Sequence, residues 1–417
     1  FYDRPKLADS TYDVDNVKRT ELLNYTFSET KYTLSSSIYK KLAPGRVLKY
    51  GIMADLYDLS YHDSIRVEDD GWWPESNEWT GRGNAEDKAV RQQYDAQYKH
   101  TFRENLSANV GVHGTYFSLS NSLSAIEPRL GLKWGLGNGK SLSFGTGLHS
   151  QIQSTYLYYY TNPDLIDTKG MEYNKDIDLN KSAHAVLGFN AMLSKNLRFK
   201  TETYYQHLFN IPVEAGTSNS FSLINAGSGF SRFFPNELVN EGTGFNYGIE
   251  FTLERFFSNN FFYMVTASFY ESKYRGSDNI VRNTDFNGNY MFNALGTKEF
   301  KVTNNATFGI GANLTYAGGK RYGDVDTLSS VAQKEIVWKD ENRNEFRLPD
   351  YFRTDVRLTY TVNRPKVSHE IAFDLINVTD RANILNLSWA PGINQGTPFA
   401  YSYQIGFLPA FYYKIDF

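Results

Sequence analysis

Cysteine is absent from the 417 residues, which excludes disulfide frameworks, thiol catalysis and zinc–thiolate sites together. Nor is there a run of the roughly 20 apolar residues that a spanning helix needs. The longest stretches free of Asp, Glu, Lys and Arg, such as Asn105 to Ile126, are filled with Ser, Asn and Gly, so a helical membrane protein is excluded. Neither sign of charge is in excess: 43 basic against 46 acidic residues leave −3, and no basic surface argues for a nucleic-acid partner. His62, His100, His113, His149, His184, His207 and His369 are scattered without metal-ligand spacing. No catalytic residue, metal ligand or cofactor is expected, and the chain does not read as an enzyme. Gly135-Leu136-Gly137-Asn138-Gly139-Lys140 lacks the full phosphate-loop motif and reads as a hairpin. Asp13-Val14-Asp15-Asn16, Asp69-Asp70-Gly71 and Asp324-Val325-Asp326 have calcium-ligand chemistry, but solvated acidic loops are commoner. Phe stands at position 1 with no basic-then-apolar segment after it, which reads as a mature or trimmed chain.

What is abundant is aromatic: 31 Tyr, 30 Phe and 6 Trp make 16% of the chain, although mean hydropathy is only −0.49. These side chains alternate. Leu48, Tyr50, Ile52, Ala54 and Leu56 do so, as do Leu142, Phe144, Thr146 and Leu148. The pattern recurs at Tyr247, Ile249, Phe251 and Leu253, and at Phe352, Thr354, Val356, Leu358 and Tyr360. Alternation places one set on each face of a strand. The spacing predicts fifteen strands near 31–42, 46–62, 88–104, 106–120, 126–136, 140–157, 180–194, 197–213, 243–257, 260–274, 286–302, 304–319, 349–362, 366–378 and 398–417. Tight Gly-, Asn- and Pro-bearing turns alternate with longer polar stretches, the pattern of an antiparallel up-and-down transmembrane barrel with short periplasmic turns and long external loops. Bacterial single-chain barrels have an even strand count. An odd count with the last strand running to the periplasm puts residues 1–30 in an extracellular loop region and makes 1–417 part of a larger barrel.

A soluble sandwich or propeller also alternates. Here, however, strands of 12 to 17 residues exceed the usual soluble length of about 5–6, and no blade-length repeat of roughly 40–50 residues occurs. Interfacial aromatic belts account for the Tyr and Trp. Glu250, Glu254, Arg353, Arg357, Glu370 and Asp374 are expected on the lumen face, bridging strands or holding a plug. On external loops the aromatics Trp72, Trp73 and Trp79, and then Phe230, Phe233 and Phe234 with Arg232 among them, are candidate ligand contacts, with packing against neighbouring loops as the plainer alternative. Phe411, Tyr413, Ile415 and Phe417 form an alternating row ending on an aromatic, the pattern of an outer-membrane assembly signal.

Three segments carry a family likeness: Leu348-Pro349-Asp350-Tyr351-Phe352-Arg353-Thr354-Asp355-Val356-Arg357, His369-Glu370-Ile371-Ala372-Phe373-Asp374-Leu375-Ile376-Asn377-Val378-Thr379, and Leu238-Val239-Asn240-Glu241-Gly242-Thr243-Gly244. The chain resembles the C-terminal barrel of TonB-dependent outer-membrane receptors, in a subgroup that often carries an N-terminal carboxypeptidase-regulatory-like domain. The likeness is strong over residues 200–417 and architectural before that. It implies a barrel of about 22 strands plugged by an N-terminal domain, of which this chain would supply strands eight to twenty-two. It also implies location in the outer membrane of a Gram-negative bacterium and import of a scarce nutrient (siderophore, cobalamin, glycan or peptide). The implied partners are the plug and remaining strands, the TonB complex acting through the plug, outer-membrane lipid and a surface lipoprotein. An adhesion or scaffold barrel without transport is the alternative.

Overall fold

The computed structural model describes residues 2–3, 18–19, 23–66, 79–160, 174–216, 218–227, 237–333, 336–394 and 397–417. Fifteen strands follow one another in a single antiparallel meander. They are β1 Leu23–Ala43, β2 Arg46–Arg66, β3 Trp79–Arg103, β4 Leu106–Phe117, β5 Ser122–Gly137, β6 Lys140–Gln151, β7 Asn180–Ser194 and β8 Leu197–Glu214. The rest are β9 Leu238–Ser258, β10 Phe261–Arg275, β11 Tyr290–Lys301, β12 Ala306–Ala317, β13 Tyr351–Asn363, β14 Ser368–Ile376 and β15 Leu408–Asp416. A three-residue strand, Val281–Asn283, pairs beside β10 as the sixteenth member of the sheet. Among the described residues β1 and β15 are edge strands.

The number and order of the strands match the alternation, but several ends differ. β1 begins at Leu23 and β3 at Trp79, well before residues 31 and 88, because polar segments there continue the ladder, as in the pairing of Glu29 with Leu59 and of Asn84 with His62. Residues 152–157 leave the sheet, and Thr155–Tyr158 forms a turn of 3₁₀ helix. The segment expected as one last strand, 398–417, is two. Thr397–Tyr403 pairs with Ile384–Asn394 in a separate hairpin, and only Leu408–Asp416 continues the meander. A short helix, Thr327–Gln333, interrupts one long connection, with Asp326 accepting the Ser329 backbone N–H at 3.1 Å.

The seven tight turns after β1, β3, β5, β7, β9, β11 and β13 lie at one end, and the four-residue turn Ser118–Asn121 between β4 and β5 lies at the other. Asn259 and Asn260 between β9 and β10 have φ of 53° and 58°, the left-handed pair of a type I′ hairpin turn. Gly45 turns β1 into β2 at φ 72°. The strands are unequal: β1 and β2 have 21 residues and β3 has 25, whereas β14 and β15 have 9 each. About 9–11 residues cross a bilayer, so β1–β3 rise far past it on the long-loop side.

Register assigns the two faces. Opposed residues share a face, so Leu253, Val265, Ala294, Leu314 and Thr354 form one row across five strands, and Phe300, Phe308, Tyr360, Ile371 and Tyr413 form another. With Ile52, Val110, Leu132, Phe144, Leu187, Tyr205, Ile249 and Phe373, this outer face is apolar and exposed. An apolar band of that extent aggregates in water unless something covers it. Hydrocarbon on the outside and water on the inside is the arrangement that satisfies both faces.

Candidate functional site

The inner face is polar along most of its height. Arg357 on β13 lies 3.4 Å from Glu370 and 3.5 Å from Asp374 on β14, and stacks over the Tyr412 ring of β15 at 4.7 Å. Tyr412 donates to Glu370. Arg353 holds Asp355 at 2.7 Å, and Arg198 on β8 pairs with Glu254 on β9. Glu250 faces Glu202 and Ser268 in the same inner row. The six charged residues singled out in the sequence therefore stand on one face, five of them in ion pairs.

A second cluster joins residues that looked scattered in sequence. Glu127 on β5 is fully buried. It accepts a hydrogen bond from Ser150 and lies 2.8 Å from His113 Nδ1 and 3.5 Å from Arg129. His149 and His184 stack at 4.5 Å beside it. A buried carboxylate is tolerated when it is paired and hydrogen-bonded, and Glu127 meets that condition. Among the described residues no group of three or more His, Asp or Glu is placed to hold a metal ion. Asp324 bonds Asn342 and Asp326 bonds Ser329, so this acidic pair is engaged within its own loop; the other two acidic segments, 13–16 and 69–71, lie outside the described residues.

At the long-loop end the inner face changes character. The outward row Leu48, Tyr50, Ile52, Ala54, Leu56 gives way, without a bulge, to the inward row Tyr57, Leu59, Tyr61. These pack with Ala89, Phe117, Ile211 and Leu238 around Leu157, Tyr158, Tyr159, Ile177 and Leu179 from the β6–β7 connection. Polar anchors fix that connection from both sides. Thr155 donates to Glu29 on β1, Tyr159 donates to Asp87 on β3 at 3.1 Å, and Asn240 on β9 accepts the Asp178 N–H at 2.8 Å. The segment thus folds inward and bridges the wall from β1 to β9. The signal for it in the sequence was the change of phase at Leu56-Tyr57. Burial pushes the Tyr158 phenol up to about 12.

Three other connections lock together above β8–β13. Arg282 forks onto Asp278 at 2.6 and 2.9 Å and donates to the Asp340 carbonyl at 2.8 and 3.0 Å. Asp340 Oδ1 accepts from the Ser220 N–H and hydroxyl, and Tyr274 donates to the Ser220 carbonyl. Burial would raise the Asp278 carboxyl, but the hydrogen bonds and charge of Arg282 outweigh it and hold it below the usual carboxylate range.

Of the aromatic ligand candidates, Trp79 opens β3 opposite Arg66 rather than standing in a loop. Trp72, Trp73, Phe230, Arg232, Phe233 and Phe234 lie outside the described residues. Phe221 packs against the inward core. On β15, Phe411, Tyr413 and Ile415 face outward against Phe373, Ile371 and His369, and Phe417 follows them fully exposed.

Over residues 2–387 the chain matches the family described as TonB dependent receptor-like, beta-barrel. No curated protein matches it in sequence. Among solved structures it is similar to the ferric preacinetobactin receptor BauA of Acinetobacter baumannii, with 13% identity and a TM-score of 0.58, over 94% of this chain and 55% of that one. The ferric yersiniabactin uptake receptor FyuA of Yersinia pestis gives 11% identity and 0.59, over 95% and 56%. FpvA of P. aeruginosa, solved bound to heterologous pyoverdines, gives 13% and 0.61, over 94% and 49%. The chain spans about half the length of these structures.

Proposed function

We propose, from the premise that this chain belongs to the TonB-dependent receptor-like β-barrel family, that it is the wall of an energised importer of a scarce solute. The protein is an outer-membrane β-barrel of a Gram-negative bacterium, and the family consists of transporters, not enzymes. The observation that carries the transport reading is the inner face: a wall that is polar along most of its height behind a predominantly apolar outside, with ion pairs running from strand to strand. An adhesin has no need of a wetted interior of that extent, whereas a solute path does.

In this reading the edge strands β1 and β15 pair with further strands outside this chain, and a plug occupies the interior and yields to TonB. The inward bridge of the β6–β7 connection narrows the mouth, and the locked crown over β8–β13 presents a preformed surface to the solute. Three solved relatives carry ferric preacinetobactin, ferric yersiniabactin or pyoverdine in their names, which makes iron chelates the first class to test. The test is uptake of radiolabelled ferric siderophores by cells carrying the complete gene, with and without functional TonB. Accumulation that needs both supports the reading. Cells that lack the protein yet take up the whole panel and a range of other scarce nutrients at the normal rate would exclude it.

A further inference from the structure

We propose that the inner wall holds a carboxylate-binding subsite centred on Lys99 and Lys133. Most of the inner wall is charge-matched: Lys200 holds Glu202 at 2.5 Å, Lys414 holds Asp416 at 2.8 Å, and the pairs of β8–β9 and β13–β14 complete the pattern. The lower wall of β1–β6 breaks it. Between the level of Asp95 and Glu127 and the tight turns, the inner rows of these strands carry Lys41, Lys49, Lys99, Arg129 and Lys133 and no Asp or Glu. Arg129 is engaged with Glu127. Among the described residues the four lysines have no ion-pair partner.

Two of these lysines border a depression of about 390 Å³. Its row runs Lys99, Asn109, Gly131, Gly145 across β3 to β6, and the next row runs Ser107, Lys133. Gly131 and Gly145 leave the floor as bare backbone, and a Cβ at Gly145 would meet nothing within 4 Å. Lys99 and Lys133 stand two strands and one row apart, about 12 Å between their backbones, with Ser107 and Asn109 between them as neutral hydrogen-bonding groups. An anion between the ammonium groups gains charge-assisted hydrogen bonds from both sides. The space fits a carboxylate with a small body attached. The carboxylate comes either from a passing solute or from another part of the complete protein.

The assignment rests on the reading that this face lines a water-filled interior, and it is tested by binding rather than by uptake, so the two stand or fall separately. The complete protein in detergent micelles is titrated with citrate at low salt, alongside Lys99→Gln, Lys133→Gln and the double variant, with heat-modifiable gel mobility confirming that each is folded. Citrate binding that weakens at least ten-fold in the double variant and disappears in high salt supports a solute site. No citrate binding, with a melting temperature that is salt-sensitive in wild type and lowered in the variant, supports a site filled by the protein's own carboxylate. Citrate affinity equal in wild type and the double variant, or neither binding nor a change in melting, overturns the subsite.

Discussion

At the scale of the residue, the strongest commitments are buried ionic and phenolic groups in the connections. Arg282→Ala leaves the Asp278 carboxylate buried without its partner, a loss of roughly 3–5 kcal/mol for such pairs. Amide hydrogen exchange across 276–289 and 336–344 should accelerate accordingly, while exchange in β1–β6 should not change. Because the folded Asp278 carboxyl is depressed, its contribution is present above the unfolded value of about 3.9 and is lost as pH falls through the folded value. The crown should therefore hold at pH 5 and loosen only in strong acid. Tyr158 has the opposite sign. Its phenol, raised to about 12, stabilises the inward bridge fully below pH of about 10 and loses that contribution as pH climbs from there. In Tyr158→Phe the alkaline loosening should shrink, read by ultraviolet difference spectra and exchange of Leu157 and Leu179; an unchanged profile would mean that the bridge opens for another reason. The hydroxyl's bond from the Gln153 N–H, 3.2 Å, should cost about 1 kcal/mol to remove.

At the scale of the element, alternation located every strand of the meander, and Asn180–Ser194 coincides with its expected bounds. The failures share a cause. Alternation reports which face is apolar, and it fades where a strand leaves the membrane but keeps its ladder, as over Leu23–Thr30 and Trp79–Lys88. It also misleads at the end of the expected strand 140–157, where Ile152, Tyr156 and Leu157 leave the sheet and pack into the inward core. Pairing across the sheet was illegible: nothing in the spacing of His113, Glu127 and Ser150 says that register brings them together. The expected last strand, 398–417, likewise takes in the second arm of the hairpin, Thr397–Tyr403, and leaves its first arm, Ile384–Asn394, in a connection. Because β14 and β15 pair through nine positions without it, replacing 384–403 by a short Gly-Ser linker should leave barrel assembly intact. Heat-modifiable mobility after refolding into micelles checks this, and failure to assemble would show that the hairpin guides the pairing of β14 with β15.

For the whole molecule, the central expectation is the sidedness of the sheet. Trp134 projects from the outer row of β5 near the tight turns and is half-exposed, where an interfacial indole belongs. Trp338 lies in the crown beside Tyr322 and Arg343. In vesicles of brominated lipid, fluorescence from a variant retaining only Trp134 should be strongly quenched, and from one retaining only Trp338 it should not. Equal quenching would contradict the assignment of faces on which the inner wall, its ion pairs and the proposed carboxylate subsite all depend.

The unequal strand lengths divide the rim into two evolutionary regimes. Around β1–β3 the rim is made of paired strand, and losing one residue there slips the ladder and turns each following side chain to the opposite face. Around β13–β15 the strands stop early and connections take over, where insertions and deletions are absorbed at little cost. Descendants of this sequence can thus alter their reach for cargo by lengthening one half of the rim, while the other half is confined to one-for-one substitution.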